Sequence, residues 1–177
     1  DEPVDFLDVV LFVEQAADPV EAAVAGIRRE AEFLTEGIGI DGLADRLREQ
    51  ELAGILADDM GLGKTAQALA HLLLEKQSGR MDKPSLVVLP TSLIFNWKRE
   101  AERFAPQLKL LSLHGKERAE HFPAIPQHDV ILTTYPLLWR DEQALAEYDY
   151  HLLILDEAQT VKNVSSQAAQ VVRKLNA

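Results

Sequence analysis

The chain has 177 residues, 47% of them hydrophobic, with a net charge of −11 and no cysteine. That suffices for one domain with a sizeable core, or one domain plus an appendage, and the missing thiols exclude disulfides, thiol catalysis and cysteine-held metals and suit the cytoplasm. The acidic balance argues against tight nucleic-acid binding by this chain alone, though not against a local basic patch or a site shared with a further domain. No run of about 18 apolar residues occurs, so no transmembrane helix is expected. No basic stretch followed by an apolar one opens the chain, so no secretory signal is expected either. The five histidines, at 71, 114, 121, 128 and 151, lack close metal-ligand spacing. Residue 1 is Asp rather than Met, which suits a piece of a longer protein.

In chain order, residues 4–13 are apolar and rich in β-branched side chains and read as a strand. Asp18-Pro19 reads as a helix start, and Ala22, Ala23, Ile27, Ala31 and Leu34 continue one helical stripe to about Thr35. Gly37, Gly39 and Gly42 break it, and a second helix runs from roughly Asp41 to Gln50. Ile55–Ala57 is a short buried strand, followed by a glycine loop and a helix carrying Ala66, Leu69, Ala70, Leu72 and Leu73, with Gly79 as its stop. Ser85–Leu89 is a strand ending at Pro90. Thr91-Ser92 reads as an N-cap pair for a helix with Leu93, Trp97, Ala101 and Phe104 on one face, ended by Pro106. Leu108–Leu113 reads as a strand, Lys116–Phe122 as a short helix, Asp129–Thr134 as a strand and Leu137–Tyr148 as a helix. Leu152–Leu155 is a wholly apolar strand and Ser165–Leu175 a closing helix. Alternating strands and helices predict a three-layer α/β domain with a mainly parallel central sheet, over about residues 41–177, behind an N-terminal extension, partly helical, of unknown role over 1–40.

The stretch with the clearest chemistry is Gly54-Ile-Leu-Ala-Asp-Asp-Met-Gly-Leu-Gly-Lys-Thr65. Strand, glycine loop, Lys-Thr and helix together form a cradle for a nucleotide triphosphate. Glycines let backbone N–H groups turn towards phosphate oxygens, and the helix N-terminus adds its positive end. Residues Asp58, Asp59, Met60, Gly61, Leu62, Gly63, Lys64 and Thr65 are therefore the expected nucleotide-binding set, with Lys64 reaching the outer phosphates and the Thr65 hydroxyl available to Mg²⁺. The general pattern asks for glycine where Asp58 stands, and the plain alternative is a glycine-rich turn opening an ordinary helix. Downstream, the strand Leu152–Leu155 runs into Asp156-Glu157. An Asp after such a strand holds Mg²⁺ in phosphoryl-transfer enzymes with this loop, and a neighbouring Glu can polarise the attacking water. The plain alternative here is a solvated strand end.

Read together, these segments resemble the motor motifs of Swi/Snf-type ATPases, the chromatin-remodeller-like branch of helicase superfamily two. Ile55–Thr65 resembles motif I of that branch, which commonly carries Asp at the position of Asp58. Leu89–Trp97 resembles motif Ia, Ile131–Leu138 motif Ib, and Asp156-Glu-Ala-Gln-Thr-Val-Lys-Asn163 motif II in its DEAQ form. The resemblance covers about residues 51–177 and not 1–40. It implies the first RecA-like lobe of a motor that uses ATP and Mg²⁺. By that likeness Lys64 contacts the phosphates, Thr65 and Asp156 serve Mg²⁺, Glu157 is the base, and Gln159 couples nucleotide state to a second lobe. Motifs Ia and Ib line a nucleic-acid track in such proteins, which makes Thr91, Ser92, Asn96, Thr133 and Thr134 the candidates for contacting double-stranded DNA. Trp97 reads as core rather than as a base-stacking platform.

The sequence departs from the family pattern in one place and ends short of it in another. A Leu-Arg-x-Tyr-Gln element, whose glutamine reads adenine, usually precedes motif I; here Leu34–Asp41 contains neither arginine nor glutamine. The chain stops where motif III is expected, so the second RecA-like lobe and its arginine finger are not in it. Such a finger contributes about 10³ to 10⁵ in rate, so the chain by itself is expected to hydrolyse ATP poorly. The expected function is the ATP-binding lobe of a DNA translocase that works, without a membrane, once joined to its second lobe. The alternative is an inactive nucleotide-binding or protein-interaction fragment.

Overall fold

Short apolar runs closed by turn residues build the sheet, and longer periodic runs cover it. The computed structural model describes residues 8–13, 54–58, 64–158 and 167–175. In chain order the elements are β1 (Asp8–Val13), β2 (Gly54–Asp58), α1 (Lys64–Gln77), β3 (Ser85–Leu89), α2 (Ile94–Phe104), β4 (Leu110–Ser112), β5 (Val130–Thr134), α3 (Tyr135–Leu138), α4 (Glu142–Leu145), β6 (Leu153–Asp156) and α5 (Gln167–Val172). The helices expected at 18–35 and 41–50 lie outside the described residues.

The sheet order is β2-β1-β6-β3-β5-β4. β6, β3, β5 and β4 run parallel to one another. β1 is antiparallel to both its neighbours, pairing Asp8 with Asp58 on β2 and Val10 with Asp156 on β6. Residues 8–13 of the N-terminal extension therefore belong to the same sheet as the strands of 41–177. β3, β5 and β6 are buried along their whole length, as expected for parallel strands covered on both faces, which read as continuous apolar runs rather than alternating ones.

Side chains of alternate parity go to opposite faces. Val87, Leu89, Val130, Leu132 and Ile154 pack with Ala68, Leu69 and Leu72 of α1 and Ile94, Trp97 and Ala101 of α2. Leu86, Val88, Ile131, Leu153 and Leu155 pack with Tyr135, Leu138 and Leu145 of α3 and α4, and with Ala168, Ala169, Val171 and Val172 of α5. The result is the three-layer α/β arrangement.

Several local expectations are corrected. Leu137–Tyr148 is not one helix but two short turns, α3 and α4, split at Trp139–Asp141. Asp141 is committed to a two-pronged ion pair with Arg118, at 2.6 and 2.9 Å, and the chain bends to present it. Lys116–Phe122 becomes a longer 3₁₀ stretch, Arg118–Gln127. Pro123 and Pro126 lack the N–H that an α-helix needs, which favours the short-period form. Thr91-Ser92 does not cap α2: with Leu93 it forms a 3₁₀ turn, and Leu93 takes the cap position with no side-chain hydrogen bond. Phe104 is not on the buried stripe of α2; it is 48% exposed, with the Arg103 guanidinium 4.9 Å from its ring centre.

The lower end of the sheet is tied by buried charge. Glu75, 2% exposed near the end of α1, takes three bonds from Arg80 at 2.7, 3.0 and 3.2 Å and faces His151 Nε2 at 3.3 Å, just before β6. Gly79, at φ +74, turns the chain there as the sequence predicts. No helix among the described residues is long and apolar enough to cross a membrane.

Candidate nucleotide and metal site

The register fixes the site before any side chain is considered. β2 and β6 are both antiparallel to β1, so they point the same way. Asp58 and Asp156 face Asp8 and Val10 of β1, and both strands therefore end at the same edge of the sheet. One strand lies between them and their ends are offset by two residues along it, which sets the two strand ends about 12 Å apart. In the sequence β2 precedes the glycine loop and β6 precedes Glu157, and the carboxyl ends of these two strands lie at one edge of the sheet, where open α/β sheets bind ligands.

Lys64 opens α1 and is 8% exposed; Thr65 follows, half-buried. Asp156 closes β6 and is 5% exposed. Glu157, half-buried, stands at φ 56, the left-handed region that residues other than glycine normally avoid. Such a residue costs about 1–3 kcal/mol and persists only where its surroundings impose it. The turn at Glu157 directly follows the buried Asp156, and Ala158 after it is buried in the core. Asp59, Met60, Gly61, Leu62, Gly63 and Gln159 lie outside the described residues, and for Asp58 only the backbone is described.

Trp97 and Tyr135 both donate to Asp156, and neither contact was expected from the motifs. The indole Nε1 of Trp97 donates to Asp156 Oδ2 at 2.7 Å, with both groups buried. The Tyr135 hydroxyl donates to the main-chain oxygen of Asp156, also at 2.7 Å and buried. Burial, and then the negative charges of Asp156 and Glu157, push the Tyr135 phenol well above its ordinary pKa, so it stays a donor. Trp97 is fully buried, as the helical stripe predicts. The signal that could have found both contacts is chemical: a buried Trp or Tyr needs a partner for its N–H or O–H.

Of the five expected nucleic-acid contacts, Thr91 and Ser92 are exposed in the 3₁₀ turn after β3. Asn96 is half-buried on α2, bonded to Glu100 at 2.9 Å and to Arg99 at 2.9 Å. Thr133 and Thr134, by contrast, are 0% and 1% exposed in β5, and their hydroxyls have no hydrogen-bond partner among the described residues. Burial withholds these two from a phosphate in this structure, because alternate and adjacent positions of a strand covered on both faces are all internal.

The donor set suits Mg²⁺ arriving with a nucleotide. Thr65 and Asp156 offer oxygen only, and among the described residues no group of three or more His, Cys, Asp or Glu is arranged to hold a metal. Mg²⁺ bound mainly by substrate phosphates, water and one or two carboxylates needs no such cage.

The family model for the SNF2-related domain matches residues 37–177. A Bacillus subtilis protein, YwqA, whose description as an ATP-dependent helicase/translocase is itself provisional, is 42% identical over 73% of this chain. Helicase swr1 of Aspergillus fumigatus is 34% identical over 90% of it. The chain spans only 14% and 10% of the lengths of these two curated relatives. Among solved structures, the Sulfolobus solfataricus SWI2/SNF2 ATPase core in complex with dsDNA superposes with a TM-score of 0.62 at 38% identity, covering 67% of this chain and 24% of that one. The motifs, the three-layer fold, the two strand ends at one sheet edge and these matches agree: the chain belongs to the SNF2-related, Swi/Snf-type ATPases of helicase superfamily two, and carries part of their ATP-dependent helicase/translocase core.

Proposed function

We propose that this chain is the ATP-binding lobe of a double-stranded-DNA translocase, and that it hydrolyses ATP with Mg²⁺ when joined to a second RecA-like lobe. The observation that supports the reading is the common edge at which β2 and β6 end, since β2 precedes Lys64-Thr65 in the chain and β6 runs into Asp156-Glu157. In this reading the N-terminus of α1 and Lys64 hold the phosphates, and Thr65 and Asp156 orient the metal. Mg²⁺, when bound, neutralises charge on the outer phosphates. Glu157, which follows β6 directly, orients the attacking water and takes its proton. Gln159 relays nucleotide state to the second lobe, whose arginine completes the charge stabilisation. The exposed Thr91-Ser92 turn is the described segment best placed to meet a DNA phosphate. The net charge of −11 fits a lobe that shares its DNA site with another.

The test is ATP hydrolysis by the full-length protein with and without duplex DNA. Stimulation by DNA, lost in Lys64→Ala, is the expected result. Equal and negligible nucleotide binding by wild type and Lys64→Ala would favour an interaction module instead.

A further inference from the structure

Asp156 is pinned from both faces of the sheet. Trp97 belongs to the apolar layer under α1 and α2, and Tyr135 to the opposite layer with α3, α4 and α5. From one side an indole N–H fixes the carboxylate; from the other a phenol fixes the main-chain oxygen of the same residue. Packing alone does not call for this. The buried stripe of α2 is Ile94, Trp97 and Ala101, and a phenylalanine would fill much of the same space without bringing an N–H into the core. A carboxylate torsion is intrinsically broad and roughly two-fold. A bond to a charged acceptor in a buried setting is among the stronger hydrogen bonds and holds its partner in one orientation.

We propose that Trp97 is a positioning residue for Asp156: its N–H sets the carboxylate in the orientation the site presents to Mg²⁺·nucleotide. The proposal rests on the reading of Asp156 as a metal-serving group given above. Tyr135 completes the arrangement by fixing the backbone immediately before the strained Glu157, so neither end of the Asp156 side chain's frame is free to drift. Partners that orient a metal-binding carboxylate typically change metal affinity by about 10- to 100-fold when lost. Asp156 is expected to act through metal-bound water, which places the effect near the lower figure.

The experiment follows binding of a fluorescent ATP analogue to the full-length protein as Mg²⁺ is titrated, and again in EDTA. Two variants are compared with wild type. Trp97→Phe removes the donor and some volume. A 3-benzothienylalanine placed at position 97 alone replaces the N–H by sulfur and keeps the bicyclic shape. The expected result is a half-saturating Mg²⁺ concentration raised about 10-fold in both, with nucleotide binding in EDTA unchanged. If Trp97→Phe does not fold, the benzothienyl variant decides alone. An unchanged Mg²⁺ requirement in that variant would overturn the proposal and leave Trp97 a packing residue. Wild type that binds the analogue without any Mg²⁺ dependence would instead overturn the reading of the site itself.

Discussion

Glu157 and Tyr135 are the residues whose local chemistry makes the sharpest demands. Glu157 is held in a left-handed conformation next to a buried aspartate, and its carboxylate is the expected base. Glu157→Gln keeps the shape and the backbone strain but cannot accept a proton. Nucleotide binding should survive and hydrolysis should fall by about 10² to 10⁴, measured as single-turnover ATP cleavage alongside analogue binding. Tyr135 makes a pH prediction. Its pKa in the folded chain lies above the ordinary 10.0, chiefly through burial and then through Asp156 and Glu157. The unfolded chain ionises this phenol near pH 10 while the folded chain does not. Its contribution to stability is therefore complete below about pH 10 and is lost as pH rises beyond it, by up to about 1.4 kcal/mol per pH unit. Tyr135→Phe should be less stable at pH 7 by about 1 kcal/mol, for the lost bond to Asp156, yet decline less steeply from pH 10 to 11. Urea midpoints at pH 7, 10 and 11 measure both effects.

At the scale of elements, β5 carries a clear conflict between pattern and environment. Thr133 and Thr134 sit in a strand buried on both faces with hydroxyls that find no partner among the described residues. A buried hydroxyl without a hydrogen bond is destabilising, whereas a methyl of the same shape is not. Thr133→Val should therefore raise stability by about 1 kcal/mol and leave DNA affinity of the full-length protein unchanged. Loss of DNA binding in that variant would restore Thr133 as a nucleic-acid contact. The same strand positions Tyr135: β5 ends at Thr134 and α3 begins at once, so the phenol arrives beside the end of β6. On the other face, α2 performs the matching task for Trp97.

At the scale of the molecule, the proposed ATP site draws on segments about a hundred residues apart in the chain, whose strands are joined by the sheet. β1 makes this joint directly, since it bonds to β2 on one side and β6 on the other. The acidic surface and the match to a solved core bound to dsDNA lead to one expectation for the whole protein. If the proposed motor tracks phosphates, DNA-stimulated hydrolysis should weaken steeply as salt rises; the ratio of DNA-stimulated to basal rate at 50 and 200 mM salt measures it. A ratio indifferent to salt would contradict a phosphate-tracking motor.

Much of this was legible in the sequence because it depends on local chemistry. Apolar runs ending at Pro90 or Asp156, a glycine loop before Lys64-Thr65, and a helical stripe through Trp97 each follow from nearest-neighbour rules of sterics and hydrophobic burial. The family was legible for the same reason: its motifs are short and contiguous. Other features depend on which strands become neighbours, and no local rule fixes that. The place of Asp8–Val13 between β2 and β6, the burial of Thr133 and Thr134, and the division of 137–148 by the Arg118–Asp141 pair were settled by tertiary packing. So was the meeting of Trp97 and Tyr135 at Asp156. Their N–H and O–H demanded partners from the start, but only the sheet, by stacking α2 on one face and α3 on the other, decided that both would be the same aspartate.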